Sequence, residues 1–325
     1  MELSEMMKAV VIDGYGEPDV LRVVDLPVPR PAAGEVLVEI AAAGVGVWDA
    51  GERSGAMAGM LPDAAKHFPR VIGGDGSGRI VALGDGVTGF AVGDEVYGYA
   101  FGSPGGGFYA EYIALPAGQV APRPDSIDLV SAAVLAIPGV TALRGVDDTL
   151  GVTAGQRLAI FGASGGVGYP ALQLAKAMGA SVLAVVSGAD GAALANDAGA
   201  DAVVDSRSGN VGEAVAAFAP DGLDAVLAVA NGAGLEALAA ALKPGGTLAF
   251  PHGVQPEPTV PEGRNAEVYE GNADRATFDK LNALIERRPF DVHVAGRLPL
   301  EAAAEAHRRL KGHHLGRMVL QVAGR

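Results

Sequence analysis

The apolar positions in the second half of the chain fall into short runs of strand length, separated by alanine-rich segments with helical spacing. The apolar runs occupy residues 157–161, 181–186, 201–204, 224–230 and 246–250. The amphipathic segments between them cover residues 192–198, 211–218 and 235–242. Because the apolar runs show no two-residue alternation, we expect strands that helices cover on both faces. This pattern predicts an α/β fold with a doubly wound parallel sheet.

The first third of the chain has a different pattern. Segments such as KAVVIDGYG and EVLVEIAAAGV are rich in β-forming residues and are punctuated by Gly, Pro and Asp-Gly pairs. Helical periodicity is largely missing there, which predicts a compact domain of the β-barrel type. Two prolines and an aspartate interrupt the pattern at residues 121–126, where we expect a domain boundary.

The C-terminal part is expected to return to this first domain. It carries a helical pattern at 275–287, a strand in VHVAG, a second helical pattern at 300–310 and a final strand in MVLQV. We therefore assign residues 1–122 and 288–325 to the β-barrel-type domain, and residues 123–287 to the doubly wound domain.

Composition narrows the function classes. The 325 residues carry a formal net charge of −14 at pH 7, so we expect neither nucleic acid nor a membrane surface as a partner. The absence of cysteine excludes disulfides, thiolate catalysis and cysteine-ligated zinc. No apolar run approaches the roughly 20 residues of a membrane span, and the start MELSEMMKAV shows no secretory pattern. We expect a soluble, cytoplasmic protein.

The stretch RLAIFGASGGVGYPALQLAKAMGA is typical of a strand, a tight turn and a helix. Ala163, Gly165 and Gly168 occupy the positions of a G-x-G-x-x-G dinucleotide fingerprint, with alanine at the first. Gly165 would let the backbone approach a pyrophosphate, and Gly168 would let helix and strand pack closely. Many α/β proteins turn in this way without a cofactor. The predicted pyrophosphate site comprises Gly162, Ala163, Ser164, Gly165, Gly166, Val167 and Gly168.

Three short segments directly follow predicted strands. They are Ser187, Ala230-Asn231-Gly232 and Pro251-His252-Gly253. Because ligands of doubly wound sheets bind beyond the carboxyl ends of the strands, these residues are candidates for cofactor contacts.

Several motifs resemble the zinc-independent quinone oxidoreductase (zeta-crystallin-like) branch of the medium-chain dehydrogenase/reductase family. They are PRVIGGDGSGRIVALGDGVTGFAVGDEVYG, GFYAEYIALPAGQVAPRPDSI, IPGVTAL, FGASGGVG and HRRLKGHHLGRMVLQV, and the likeness covers nearly the whole chain. It implies a GroES-like catalytic domain, a Rossmann domain, a nicotinamide cofactor, a small-molecule acceptor and a homodimer. Because quinone, enone, enal and enoyl-thioester reductases share these motifs, the acceptor stays open.

The zinc members of this family carry residues that this chain lacks. They have a cysteine ligand near the position of Gly46, and a Gly-His-Glu where this chain has Gly73-Gly74-Asp75. Four of the six histidines are isolated, and His313-His314 cannot face one way on a helix or strand, although a loop could turn both inward. We therefore expect no metal site, and we expect Asp75 to orient a turn or a buried loop rather than to carry chemistry.

Without a metal or a thiol, the remaining chemistry is hydride transfer from a nicotinamide cofactor to a quinone or an activated C=C bond of an enone or enal. No catalytic acid is obvious. The family often has an asparagine and a tyrosine where this chain has Gly46 and Gly51. A second function class therefore stays open, a cofactor-binding sensor or storage protein with little or no turnover.

Aromatic residues are the candidates for the acceptor pocket. Trp48 could form one wall of the pocket or belong to the core. In YGYAFGSPGGGFYAEY the glycines indicate a mobile loop that brings Tyr99, Phe101 and Tyr109 to the acceptor, where a hydroxyl could donate to a carbonyl. The other two tyrosines of this stretch, Tyr97 and Tyr112, fit the alternating pattern of a β-hairpin.

The choice of cofactor depends on the end of the second strand. An NAD enzyme has Asp or Glu about 20 residues beyond the fingerprint, whereas this chain has Ser187-Gly188 there. The small pair leaves room for a 2′-phosphate, so we expect NADPH, with NADH as the alternative. Arg207 and, less readily, Arg317 could supply a positive charge, although lone surface arginines are commonly solvated.

The resemblance adds two further expectations. Thr141, in IPGVTAL, resembles the family threonine beside the nicotinamide, although a threonine inside a helix is often structural. Related NADPH enzymes have a lysine and a tyrosine where this chain has Gly191 and Ser206, so the NADPH preference is expected to be modest.

Overall fold

The structure of the chain is a computed structural model that describes residues 5–63 and 66–322. It divides into two compact units. The first runs to Ile137 and takes in Ala273–Asn282 and the chain from Val294 onward. The second comprises Pro138–Asn272 and Ala283–His293. Each unit has a hydrophobic core of its own.

The first unit is built on β-strands. Its strands are β1 (Met6–Ile12), β2 (Arg22–Pro27), β3 (Glu35–Val45), β4 (Arg70–Val71), β5 (Asp75–Leu83), β6 (Glu95–Tyr99), β7 (Tyr112–Pro116), β8 (Val120–Pro122), β15 (Val294–Pro299) and β16 (Arg317–Gln321). Its helices are α1 (Val47–Ser54), α2 (Leu129–Ala132) and α9 (Ala303–Arg309). The expected β-rich domain is confirmed.

Two sheets organise these strands. One has the order β2-β1-β4, and a seven-stranded sheet has the order β15-β16-β3-β5-β6-β8, with β7 paired to β3. The final strand β16 runs antiparallel to β3, with Met318 opposite Val45. Buried apolar residues of β1, β3 and β16 share one core, which explains why the C-terminal strand returns to this unit.

The second unit is a parallel sheet with helices. Its strands are β9 (Arg157–Phe161), β10 (Ser181–Val186), β11 (Ala202–Asp205), β12 (Leu223–Ala228), β13 (Leu242–Pro251) and β14 (Asn265–Tyr269). Its helices are α4 (Gly168–Ala177), α5 (Ala189–Asp197), α6 (Val211–Phe218) and α7 (Leu235–Ala240). The strand order β11-β10-β9-β12-β13-β14 reverses between β9 and β12, as in a Rossmann fold.

Two helices cross the division between the units in sequence. They are α3 (Ala136–Leu143) and α8 (Arg275–Ile285). Among the residues that the structure describes, no helix is both long and apolar enough to cross a membrane.

The unit boundaries differ from the expected 122/123 and 287/288. Helix α2 packs on β3, β5 and β6, so the chain stays with the first unit as far as Ile137. Phe278 of α8 packs edge to face on Tyr97, and the Tyr97 hydroxyl donates to Asn282 at 2.7 Å. These contacts hold Ala273–Asn282 to the β-rich unit, which the pattern of apolar residues alone did not indicate.

Element ends also shift by a few residues. The apolar run 224–230 ends as a strand at Ala228, and the run 246–250 belongs to a longer strand that starts at Leu242. Helix α8 ends at Ile285 instead of 287, and the segment 300–310 begins with a 3-10 turn before α9. Tertiary pairing, which local periodicity does not encode, decides such ends.

Candidate functional site

The glycine-rich turn connects β9 to α4, and its glycines have different physical roles. Gly162 has a φ of +87°, which favours glycine, and its N–H donates to the Val185 carbonyl at 2.9 Å. A Cβ on Gly168 would overlap the carbonyl oxygen of Gly162 and lie 2.7 Å from Ala163 Cα. A Cβ on Gly165 would meet only the Gly162 oxygen, at an ordinary 3.4 Å. The fold therefore requires glycine at 162 and 168, whereas the space beside Gly165 is open.

The remaining residues of the turn support a dinucleotide cradle. Ala163 is fully buried, and Ser164 is nearly so. The N–H of Tyr169, in the first turn of α4, already donates to the Gly165 carbonyl at 3.0 Å, so the donors for a ligand are the N–H groups of residues 166–168 that lead into the helix. Such groups, with the positive end of the helix dipole, suit the oxygens of a pyrophosphate. The turn thus fits a dinucleotide, because there is open space at Gly165 and backbone N–H donors lie beside it.

The structure brings the strand-end candidates to the same edge of the sheet. Gly162 and Ala230 follow the neighbouring strands β9 and β12, and a Cβ on Gly162 would lie 3.3 Å from Ala230 Cβ. Asn231 donates through its side-chain amide to the Pro256 carbonyl, which ties the end of β12 to the loop after β13. A Cβ on Gly232 would touch the ring of Phe161 at 3.4 Å.

The ends of β13 and β14 lie next to each other. Pro251 pairs with Tyr269, and the N–H of His252 donates to the Tyr269 carbonyl at 2.9 Å. His252 Nδ1 is 3.8 Å from a carboxylate oxygen of Glu270, and both side chains are about half exposed. Gly253 then turns the chain with a φ of +100°. The segment 251–253 therefore presents an ionisable pair at this edge.

Thr141 lies against the chain that leaves β14. Its side chain is buried in α3, and a Cβ on Gly271 would overlap the Thr141 hydroxyl oxygen. Because Gly271 comes two residues after β14 ends at Tyr269, Thr141 belongs to the same carboxyl edge of the sheet. Glycine at 271 is what allows this close approach.

At the end of β10, Ser187 is partly buried and Gly188 has a φ of +89° at the start of α5. The Gly188 N–H donates to Asp205 Oδ1 at 2.9 Å, and Arg207 is exposed nearby in sequence. Sequence reasoning missed Asp205. The signal was available, because Asp205 directly follows the apolar run 201–204 and so occupies a strand end like the other candidates.

Two of the four aromatic candidates contact each other in the first unit, and a third pairs through its backbone with the chain beside them. Trp48, in the first turn of α1, packs edge to face on Phe101 with ring centroids 5.4 Å apart. A Cβ on Gly74 would lie 3.7 Å from Phe101 Cβ. Tyr99 pairs with Asp75, the residue after Gly74. All three aromatic side chains are partly exposed, as an acceptor contact requires.

Tyr109 is corrected from an acceptor contact to a core residue. Its side chain is 0% exposed, and its hydroxyl lies 3.0 Å from His307 Nε2. A Cβ on Gly73 would overlap its ring, so Tyr109 packs directly on the chain before β5. Burial raises the pKa of its hydroxyl well above the ordinary value.

Arg317 is corrected as well. Its guanidinium is 8% exposed and donates to Asp75 at 2.6 Å, while Asp49 lies 3.4 Å away. This group belongs to the interior of the first unit, where it neutralises buried carboxylates, and so it is not available for an adenosine phosphate. Asp75, which was expected to orient a turn or a buried loop, is the buried first residue of β5 and forms an ion pair with Arg317.

Comparison with known proteins fits this architecture. The model of the alcohol dehydrogenase GroES-like domain matches residues 32–125, and that of the zinc-binding dehydrogenase matches residues 166–262. A quinone oxidoreductase of Rattus norvegicus is 28% identical over 331 residues, which cover 98% of each chain.

Comparison with solved structures supports the same two-domain architecture. A crystal structure of an NAD-dependent alcohol dehydrogenase is 32% identical, with 98% of this chain and 100% of that chain covered and a TM-score of 0.87. The chain belongs to the medium-chain dehydrogenase/reductase family. A mycobacterial member in complex with NADPH is 31% identical, with 97% and 99% of the two chains covered and a TM-score of 0.82. These relatives support an NAD(P)H-dependent oxidoreductase and confirm the predicted GroES-like and Rossmann domains.

Side chains are sterically disfavoured at Gly46 and Gly74, where the family resemblance places the cysteine and histidine ligands of zinc members. A Cβ on Gly46 would lie 2.8 Å from Arg317 Nη2, and one on Gly74 would lie 2.6 Å from Ile137 Cδ1. A cysteine or histidine at these positions would therefore displace neighbouring side chains. Within residues 5–63 and 66–322, no group of three or more His, Asp or Glu could hold a metal ion.

Proposed function

We propose that this protein is a zinc-independent, NAD(P)H-dependent reductase that delivers hydride to a quinone or to an activated C=C bond of an enone or enal. The observation that carries the proposal is Gly165, whose φ is not positive and whose missing Cβ leaves open space. The fold does not need glycine there, and the close approach of a pyrophosphate does.

On the cofactor side, the chain supplies binding and orientation. The nicotinamide ring of a bound cofactor supplies the hydride. The N–H groups of residues 166–168, which lead into α4, would hold the pyrophosphate. The contacts to the rest of the dinucleotide would come from Thr141, Ser187, Ala230, Asn231, Pro251, His252 and Gly253.

On the acceptor side, we propose that Trp48 and Phe101 form an aromatic wall against which a flat acceptor stacks. Tyr99 would donate from its hydroxyl to the acceptor oxygen that gains negative charge during the transfer. The acceptor receives one hydride and then one proton, so that a quinone becomes a hydroquinone and an enone becomes a ketone.

We further propose a modest preference for NADPH. Ser187 leaves room for a 2′-phosphate and can donate to it, and Arg207 supplies a positive charge on the neighbouring strand end. A lysine in place of Gly191 could not be accommodated directly, because a Cβ there would lie 2.9 Å from Ser164 Oγ. In this proposal Arg207 is therefore the main residue that recognises the 2′-phosphate.

Zinc independence is supported by the same residues that fail to form a ligand set. Elemental analysis of the purified protein should find zinc far below one atom per chain, and a chelator should leave hydride transfer unchanged. One tightly held zinc per chain, whose removal abolishes turnover, would overturn this part of the proposal.

We also propose a homodimer in which β14 pairs with the same strand of a second copy. β14 ends the sheet of the second unit, and within the described ranges it pairs only with β13. Four of its five residues are exposed, among them Val268 at 53%. An open edge offers N–H and C=O groups, and two identical edges related by a two-fold axis complement each other.

The dimer can be tested with matched charge substitutions. Val268→Lys should convert the dimer to a monomer in light scattering. Val92→Lys, at an exposed position in the first unit, should leave the dimer intact. A wild-type monomer, or a dimer that survives Val268→Lys, would contradict the proposed pairing.

A second candidate function is a cofactor-binding protein without turnover. The observation that favours it is Gly51, which stands where the family often has a tyrosine. A Cβ on Gly51 would lie 2.8 Å from Met57 Cγ, so no larger side chain fits without movement of Met57. If the missing tyrosine is essential for proton delivery, binding would persist while turnover is lost.

One experiment separates the two functions. NADPH and NADH are titrated by fluorescence, and quinones, enones and enals are then screened for loss of the absorbance of the bound reduced nicotinamide. Turnover with any acceptor class supports the reductase. Tight binding without turnover across the whole panel supports the second function, and failure to bind either cofactor contradicts both.

A further inference from the structure

Asp205 ties together the turns that leave β10 and β11. Its Oδ1 accepts the N–H of Gly188 at 2.9 Å and the N–H of Arg207 at 3.0 Å. Its Oδ2 accepts the Ser208 hydroxyl at 2.8 Å. The Asp205 carboxylate is therefore hydrogen-bonded directly to the turn that follows β10.

This carboxylate is ionised at physiological pH. Hydrogen bonds from the Gly188 and Arg207 N–H groups and from the Ser208 hydroxyl hold the pKa of Asp205 below its ordinary value. The side chain is partly exposed, so its charge can act on a ligand in the adjacent turn, although solvent and salt screen it.

Asp205 lies beside the strand end where the adenosine ribose is expected. In doubly wound dinucleotide-binding folds, the ribose hydroxyls meet the end of the second strand, and the second strand here is β10. Ser187 and Gly188 stand at that end without a charge. The carboxylate that lies beside this strand end belongs to Asp205, on the third strand β11.

We propose that Asp205 is a specificity-determining residue, whose carboxylate disfavours a 2′-phosphate beside Ser187-Gly188 and so limits the preference for NADPH. The inference rests on the proposed function, because it requires a nicotinamide cofactor bound at this sheet. The positive charge of Arg207 has the opposite effect and favours binding of the 2′-phosphate. The backbone N–H of Arg207 is held by Asp205, so the two opposing charges belong to one turn and the preference is small.

The test measures dissociation constants for NADPH and NADH by fluorescence in the wild type and in Asp205→Asn. The asparagine keeps Oδ1 as an acceptor for both N–H groups and removes the charge. We expect the ratio of the NADH to the NADPH dissociation constant to rise about tenfold. The rise should shrink at about 0.5 M salt, because screening weakens a charge effect at an exposed site.

Two variants serve as controls. Asp201→Asn removes a carboxylate that also accepts a backbone N–H, from Val182 at 2.7 Å, but near the start of β10. Asp190→Asn removes a carboxylate in the first turn of α5, where it accepts the Gly191 N–H at 2.9 Å. Neither should change the cofactor ratio by more than about twofold.

The outcomes are distinct. A shift in Asp205→Asn alone supports the inference. Equal weakening of both cofactors would show a merely structural role for Asp205, and a shift in Asp190→Asn instead would assign discrimination to α5; either result overturns it. If the wild type binds neither cofactor, the proposed function itself fails.

Discussion

Arg317 Nη1 lies 2.6 Å from Oδ2 of Asp75, and both side chains are buried. Asp49 lies on the other side of the guanidinium, 3.4 Å from Nη2. One cation thus faces two carboxylates inside the first unit. Burial, opposed by Arg317, raises the pKa of Asp49 to about 7. Asp49 also accepts the N–H groups of Gly46 and Gly74, so this cluster fixes the chain around Trp48 and Phe101.

We predict that Arg317→Met lowers the free energy of unfolding by about 3–5 kcal/mol, because it leaves two carboxylates buried without a cation. Denaturant titration measures the change. Arg308→Met is the matched control, since Arg308 pairs with Asp19 at the surface, and it should cost under about 1 kcal/mol. Equal effects of the two variants would show that the buried cluster contributes little.

His307 predicts a pH dependence of stability. Burial, with the Arg53 charge adding to it, lowers the pKa of His307 to about 3, from an ordinary 6.5. Below pH 6.5, His307 is therefore protonated in the unfolded chain but stays neutral in the native protein. The native state is favoured fully above pH 6.5 and loses about 1.4 kcal/mol per pH unit from this group as the pH falls toward 3.

His307→Gln isolates this contribution. The difference in unfolding free energy between wild type and variant should shrink steadily from pH 6.5 to pH 4, because glutamine takes up no proton. Asp49 is present in both proteins, and its opposite contribution cancels in the difference. His67→Gln, at an exposed histidine, is the matched substitution outside the core. A constant difference across this range would mean that His307 titrates normally in the native protein.

The glycine-rich turn predicts two variants with opposite consequences. Gly165→Val should weaken cofactor binding by at least about tenfold and change the unfolding free energy by less than about 1 kcal/mol, because its Cβ meets no obstacle within the protein. Gly168→Ala should lower the melting temperature, because its Cβ overlaps the Gly162 carbonyl. Calorimetry and cofactor titration of both variants give the comparison. Unchanged affinity in Gly165→Val would remove the main support for the cofactor site.

The aromatic pair predicts a separation of acceptor and cofactor effects. Trp48→Ala should raise the acceptor KM several-fold and leave the NADPH dissociation constant within about twofold. Trp48 is the only tryptophan of the chain, so quenching of its fluorescence by a quinone reports acceptor binding directly. Phe68→Ala, which breaks the edge-to-face pair with Tyr15, is the control and should leave KM unchanged. Normal kinetics with lowered stability in Trp48→Ala would assign Trp48 to the core.

The sequence by itself determined the fold class and the position of the glycine-rich turn. Apolar runs of strand length that alternate with amphipathic helical segments indicate covered strands, and the G-x-G-x-x-G spacing between strand and helix is a local signal. Both features act over a few residues, so periodicity and turn chemistry were sufficient to predict them. The same reasoning placed Ala230 and Pro251 at the carboxyl edge of the sheet, although β12 itself ends at Ala228.

The tertiary structure alone decided which polar and aromatic residues are buried. Tyr109 and Arg317 looked accessible in sequence, yet pairing of β16 with β3 carries Arg317 to Asp75, which lies far from it along the chain. Asp205 gained its place beside Gly188 through the parallel pairing of β10 with β11. Partners that lie far apart in sequence meet only when strands pair, and no local pattern encodes their charges or their burial.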